Sequence, residues 1–284
     1  MQKIYKIFTN CKPRILIHIN YMHIRSLFTR IHILALDAPL IGLAWQQYFA
    51  HTYEIDIALS KEGTILVASL WLAYMADRLF DIQGKSPNRL KSKRHQFAQR
   101  NRQNLWLIWT IVLAASIAYS LSTLNSDKIV ACLILFFLIL LYNLANQCLW
   151  KKGFPKEVCV ASLFSLACFV LLDVGFLFYD FFNLGLIIFL NCILLSKKEE
   201  FTDQRMGFYS LAQSLNSHTI TGLIIVSLVY FAVALPSYLN PFFLLSLSLL
   251  ILHVLSLKCL SSSDEGYRFL LECLYFIIPL LFIT

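Results

Sequence analysis

The stretch "WLAYMADRLFDIQGKSPNRLKSKRHQFAQRNRQ", residues 71–103, begins as an apolar helix, passes two aspartates and ends as a basic run. Asp77 and Asp81 stand four positions apart. On a helix that spacing places them about 40° apart around the axis and about 6 Å along it, so they project from one face. A second junction of this kind occurs at "KKEEFTDQR", residues 197–205, where Glu199 and Asp203 repeat the spacing. Acids at membrane depth cost roughly 2.5–3.5 kcal/mol each, so such residues face a cavity or an ion far more often than lipid.

The surroundings of these junctions are those of a membrane protein. The 284-residue chain is 58% hydrophobic and 14% charged, against about 25% charged residues in soluble domains. Its mean hydropathy is +0.67, and a soluble enzyme is excluded on that balance. The net charge of +8 then reads as loops on the cytoplasmic side of a membrane, with no need for nucleic acid. The eight cysteines form no C-x-x-C pair or Cys/His cluster, which argues against a thiolate metal site or a disulfide framework.

A crossing helix needs about 20 apolar residues. Candidate spans fall near 32–50, 63–80, 105–123, 128–145, 158–178, 180–196, 219–236, 240–258 and 268–284. The expectation is an all-α polytopic bundle of about nine transmembrane helices, forming one domain over 32–284. Residues 1–31 are expected to form a cytoplasmic or interfacial arm, with disorder as the alternative, because Lys12, Arg14, His18, Arg25 and Arg30 interrupt its apolar runs and no signal-peptide core results. With the N-terminus inside, 21 of the 24 Lys and Arg fall on cytoplasmic segments. Lys61 and Lys128 alone fall in outer loops, with Arg78 at a helix end. This asymmetry supports an N-inside, multi-pass topology. Both acidic pairs then open on the cytoplasmic side.

Two carboxylate pairs gathered at one site repel each other unless a cation lies between them. Hard oxygen-ligated cations fit, and Mg²⁺ is commonly shared between carboxylates and substrate phosphates. Arg78, Lys93, Arg94, Lys151, Lys152 and Arg205 share that side. One charge pair at about 4 Å contributes about 4 kcal/mol at an effective dielectric near 20. The plainer alternative is that acids and bases at these helix ends simply pair with one another.

These motifs resemble those of the UbiA superfamily of intramembrane prenyltransferases. "AYMADRLFD" (73–81) is similar to the family's first aspartate-rich motif, N-x-x-x-D-x-x-x-D. "EEFTDQRMGFYSLA" (199–212) is similar to the second, with Glu199 and Asp203 at its acidic positions, Gly207 at its glycine and Ser210 at a hydroxyl position. "YNLANQCLWKKGFPKEV" (142–158) resembles the tyrosine-led loop between them. The chain departs from the pattern at Ala73, where the family has asparagine, and at Tyr74, where an acid often stands. It departs again at Asn146-Gln147 in place of Lys-Arg, and at Glu199 in place of aspartate.

The resemblance implies Mg²⁺-dependent transfer of an isoprenyl group from a polyprenyl diphosphate to a hydrophobic, aromatic or lipidic acceptor within the bilayer. It implies Asp77, Asp81, Glu199 and Asp203 as catalytic acids and metal ligands. Arg78, Arg94 and Lys152 are the expected diphosphate contacts. Tyr74, Phe80 and Tyr142 are the aromatic candidates for the prenyl chain and its carbocation, which a ring face attracts; ordinary packing is the alternative for each. A bacterial plasma membrane is the expected location. A catalytically degenerate isoprenoid-binding or scaffolding protein, and a cation-coupled transporter, are the two other functions compatible with the sequence.

Overall fold

The structure is a computed structural model that describes residues 27–55, 61–149, 155–172, 178–234, 240–258 and 264–283. Among these residues the secondary structure is helical, with no strand. Residues 1–26 of the expected N-terminal arm lie outside the described residues. In chain order the helices are α1 (Leu27–Ile33), α2 (Asp37–Thr52), α3 (Lys61–Asp81), α4 (Lys93–Arg100), α5 (Arg102–Thr123) and α6 (Ser126–Leu149). After them come α7 (Lys156–Val170), α8 (Phe178–Met206), α9 (Ser217–Ala234), α10 (Pro241–Lys258) and α11 (Asp264–Leu280). Short 3-10 turns lie at Pro87–Arg89 and Leu211–Ser214.

Five of these helices, α3, α5, α6, α8 and α9, are long and apolar enough to cross a membrane, and α1 with α2 makes a sixth if the bent pair counts as one span. Each sequence-predicted window overlaps a helix, but 32–50 is split by the bend between α1 and α2, 268–284 is shifted against α11, and two further boundaries differ. The window 158–178 ends early, with α7 stopping at Val170. The window 180–196 is the core of a 29-residue helix reaching Met206, about 43 Å long. Its polar end, "SKKEEFTDQRM", is rich in good helix formers, so the helix continues past its apolar part and carries Glu199 and Asp203 on the extension.

Helix α2 packs on α3, α7 and α11, while α7 packs on α6 and α8, and α10 packs on α8, α9 and α11. Gly42 lies at the α2–α3 contact, where an added Cβ would force the Leu70 side chain to shift. Stacked rings tie α2, α9 and α10 together, with Trp45–Phe242 centroids at 5.1 Å and Phe231–Phe242 at 5.5 Å. Helix α5 leans on α3 and α4 and is otherwise bare, with only 6% of its apolar window buried. Val130, Leu133, Ile134, Phe137, Leu141 and Leu144 form an exposed stripe along α6, a face suited to lipid.

The chain turns by 94° between α1 and α2. Ala35 takes the left-handed conformation there, with φ of 58°, and the Leu36 N–H donates to Ile31 O at 3.0 Å. Helix α3 completes the turn: Trp71 Nε1 donates to Leu34 O at 3.0 Å and Arg78 Nη1 to Ile33 O at 2.8 Å. These bonds satisfy carbonyls that the end of α1 would otherwise leave without donors.

Candidate active site

Three helix ends and one loop gather at the end of the bundle where α3 finishes. Helix α8 closes on Gly207, whose φ of +74° suits glycine, and the Phe208 N–H bonds back to Asp203 O at 2.9 Å. Met206 and Phe208 then grip the connection between α3 and α4. Met206 Sδ accepts from the Lys91 N–H at 3.4 Å, and the Lys85 ammonium sits 3.2 Å over the Phe208 ring. Burial lowers the Lys85 pKa, with Asp81 and Asp203 pulling it back up. Glu157, 1% exposed in the first turn of α7, accepts the Leu211 N–H at 3.1 and 3.3 Å and fixes the turn after α8.

These elements enclose a cavity of about 190 Å³ lined by Asp77 and Tyr74 of α3, Arg94 of α4 and Tyr142 of α6. Lys156 and Glu157 of α7, Asn191, Ser196, Glu199 and Asp203 of α8, Arg268 and Glu272 of α11 and Asp37 of α2 also belong to its polar wall. Arg94 Nη2 lies 3.0 Å from one Glu199 oxygen and Arg268 Nη2 lies 2.8 Å from the other. Glu199 is thus held by two guanidiniums, each a charge-assisted hydrogen bond. Beyond Arg268, His32 Nδ1 lies 2.6 Å from Asp37 Oδ2 and 3.7 Å from Glu272 Oε1, and Arg268 Nη1 lies 3.5 Å from Glu272.

His32, Asp37 and Glu272 bring three ligand atoms within 4.8 Å of one another. That cluster already contains a cation, because the Arg268 Nη1 lies 3.1 Å from His32 Nε2 and 3.3 Å from its Nδ1. The Arg268 guanidinium is thus packed against the His32 and Glu272 members of the cluster.

A smaller apolar pocket of about 70 Å³ lies between α3, α6 and α7 and shares Tyr74, Asp77 and Tyr142 with the charged cavity. Ser69, Ala73, Leu135 and Ile139 line it. Asn146, 5% exposed, offers its Nδ2 to Asp77 Oδ1 at 3.5 Å, while its own Oδ1 is buried without a partner.

The structure brings Asp77, Glu199, Asp203, Arg94, Tyr74 and Tyr142 to one cavity. It points other expected residues elsewhere. Asp81 is absent from the cavity lining and lies 3.5 Å from His95 Nε2. Arg78, 6% exposed, is committed to the α1 carbonyl, and Phe80 packs edge-on against Trp106 at 5.7 Å. Lys152 lies outside the described residues. Arg268, Glu272, Lys156, Asp37 and His32 have no motif spacing; the one signal available was the Arg268–Glu272 pair, i and i+4 on α11.

Ser92, His95 and Asp81 follow the order of a hydrolytic triad, with Ser92 Oγ 2.5 Å from His95 Nδ1. The same Ser92 oxygen caps α4 by accepting the His95 N–H, and the 3.5 Å separation of the ring from Asp81 is at the long limit of a hydrogen bond. Burial, with Arg94 and Arg78 nearby, pushes the His95 pKa well below its ordinary value. The neutral ring serves as a packed connector between α4 and α3.

No protein-family profile, no curated protein and no solved structure matches this chain. The fold and site define an all-helical protein with apolar, membrane-length helices and a charged cavity at one end.

Proposed function

We propose that the protein is a divergent member of the UbiA superfamily, transferring an isoprenyl group from a polyprenyl diphosphate to a hydrophobic acceptor within a membrane. The observation that carries this reading is one cavity where three motif acids, Asp77, Glu199 and Asp203, meet three cations, Arg94, Lys156 and Arg268. An apolar pocket shares Tyr74, Asp77 and Tyr142 with that cavity, giving a diphosphate head and an isoprenoid tail adjoining sites of opposite character. On this reading the chain crosses a bacterial plasma membrane nine times with its N-terminus in the cytoplasm.

The donor set suits Mg²⁺. Asp77 and Asp203 are carboxylates, and the buried Asn146 Oδ1 beside Asp77 lacks a partner; carboxylate and amide oxygens are what a hard cation takes. Mg²⁺, when bound, neutralises diphosphate charge and makes it a better leaving group. Arg94, Lys156 and Arg268 hold the diphosphate oxygens. The Tyr74 and Tyr142 rings flank the junction of the two pockets, where they stabilise positive charge on the allylic carbon. The C–O bond breaks with its electrons going to the diphosphate. An acceptor carbon or oxygen forms the new bond and gives up its proton to the diphosphate. Asn146 presents from α6 an amide that the family pattern places at position 73 on α3.

A second reading, isoprenoid binding without turnover, is favoured by the two guanidiniums that occupy both Glu199 oxygens. One assay separates the two. Purified protein with Mg²⁺ and a polyprenyl diphosphate is expected to release diphosphate, and Asp77→Asn and Asp203→Asn are expected to reduce release at least a hundredfold, roughly the loss of one transition-state charge interaction. Release undiminished in both variants overturns the assigned roles; donor binding without release across a panel of acceptors establishes the second reading.

A further inference from the structure

A further cavity, of about 440 Å³, lies on another flank of α3 and shares no lining residue with the charged cavity or the apolar pocket. Gly63, Val67 and Trp71 of α3 line its floor, with Leu43 on the α2 side and Ile108 on the α5 side. From Gly63 to Trp71 this floor runs about 12 Å along the helix. Its volume is that of a small-molecule site. Ile108 is 47% exposed, and α5 is bare beyond its contacts with α3 and α4. In a bundle that crosses a membrane, the groove is therefore reached from the bilayer.

One polar side chain borders it. Gln46, three positions after Leu43 on α2, is fully buried, and neither its Oε1 nor its Nε2 has a hydrogen-bond partner. A Cβ placed on Gly63 would lie 3.6 Å from Gln46 Oε1 and 3.2 Å from Leu43 Cδ1. The amide thus meets the groove where α3 carries no side chain, beside the flexible end of Leu43. An amide buried among apolar groups without partners costs roughly 2–7 kcal/mol, and a ligand that pairs it recovers that cost. A hydroxyl answers both atoms, accepting from Nε2 and donating to Oε1. A carbonyl would satisfy Nε2 alone, and a carboxylate or phosphate would bring a charge into an apolar groove.

The polarity of the groove runs the same way as that of such a ligand. Glu62, next to Gly63, pairs with Lys128 at 3.1 Å, so the Gly63 end lies at the polar boundary of the bundle. Trp71 is midway along α3 (Lys61–Asp81), where the surroundings are apolar. We propose that the groove between α2, α3 and α5 binds a lipid alcohol, its chain lying along α3 towards Trp71 and its hydroxyl reaching past Gly63 to the Gln46 amide. Leu43 turns its terminal methyl aside to admit the hydroxyl. The site is independent of prenyl transfer.

The test is photolabelling of the full chain in detergent micelles by octadecan-1-ol carrying a diazirine in its chain, mapped by peptide mass spectrometry. Labels are expected on α3 from Gly63 to Trp71, or on Ile108 and Val112 of α5. Unmodified octadecan-1-ol is expected to compete about tenfold better than octadecyl methyl ether, which has no proton for Oε1. Gln46→Leu is expected to erase that preference while the groove still labels. Gly63→Ala, which puts a methyl group in the gap, is expected to weaken the alcohol about tenfold. Preference for alcohol over ether is read within each variant, so a change in the amount of folded protein does not imitate its loss. Equal competition by alcohol and ether in the parent overturns the proposal, and so does a preference that survives Gln46→Leu. Labels spread over the bare faces of α5 and α6 without enrichment in the groove overturn it too. Labelling that octadecan-1-ol leaves unchanged, and that falls as protein is concentrated in the micelles, assigns the groove to a second copy of the chain and overturns it. Phytol, a branched alcohol, competing as well as octadecan-1-ol supports a site that reads the hydroxyl alone; octadecan-1-ol competing where phytol does not supports one restricted to unbranched chains.

Discussion

At the residue scale, both the face of α3 and the position along it decide which side chains reach the cavity. Tyr74 stands about 60° round the axis from Asp77 and lines the cavity with it. Phe80 stands about 60° round on the opposite side and Arg78 about 100° round. Asp81, only about 40° from Asp77 but a full turn further on at the helix end, meets His95 instead. Sequence proximity to the motif therefore selected Arg78 and Phe80, while helix geometry turns one to the α1 carbonyl and the other to Trp106. Asn146 shows the converse. It reads in sequence as the loss of a basic residue, yet it lies against Asp77 with a buried, unpartnered oxygen. On the prenyl-transfer reading, Asn146→Leu should raise the Mg²⁺ concentration for half-maximal diphosphate release about tenfold, equivalent to about 1.4 kcal/mol. The thermal midpoint should change little, because the gain from removing a buried acceptor without a donor offsets the loss of the amide that faces Asp77. A Mg²⁺ titration beside a melting curve checks both, and an unchanged titration removes the amide from the site.

At the element scale, the helices were legible because their apolar windows are long, and their polar extensions were not. The end of α8 shows why: "SKKEEFTDQRM" has low hydropathy but good helix formers, so hydropathy stops a span where the backbone has no reason to stop. The termination is set by Gly207, whose left-handed φ lets Phe208 turn back. Phe208 in turn meets the His95 ring at 5.4 Å and the Lys85 ammonium. Gly207→Ala meets no steric obstacle, since nothing lies within 4 Å of its added Cβ. Its cost is conformational, roughly 1–2 kcal/mol for a left-handed residue bearing a Cβ. The α3–α4 connection should loosen with it, so trypsin should cut at Lys85, Arg89 or Lys91 several-fold faster than in the parent. Unchanged cleavage would show that the α8 end does not restrain the connection.

At the scale of the whole molecule, the site is assembled from α2, α3, α4, α6, α7, α8 and α11, and the members without motif spacing were illegible for that reason. Arg268 lies 69 positions from Glu199 and 236 from His32, and only the packing of α11 beside α2 and α8 brings them together. The charge asymmetry, by contrast, is a property of the whole chain and is readable at once. The two ends of the bundle differ in how they hold charge. At the start of α3, Lys61 Nζ donates to the Thr123 carbonyl at 3.0 Å, where a cation complements a helix C-terminus, and Lys128 pairs with Glu62 at 3.1 Å. At the other end, seven Lys and Arg occur over residues 81–104, a concentration that favours retention in the cytoplasm. An epitope inserted after Lys85 should therefore be digested in inverted membrane vesicles and protected in right-side-out ones, and an epitope inserted after Asn125 should show the reverse. Because α5 joins the two positions, digestion of both from one side would mean that α5 does not cross. Exchange of the two patterns would invert the orientation and place the acidic cavity on the outer face, which on the prenyl-transfer reading separates it from donors supplied by the cytoplasm.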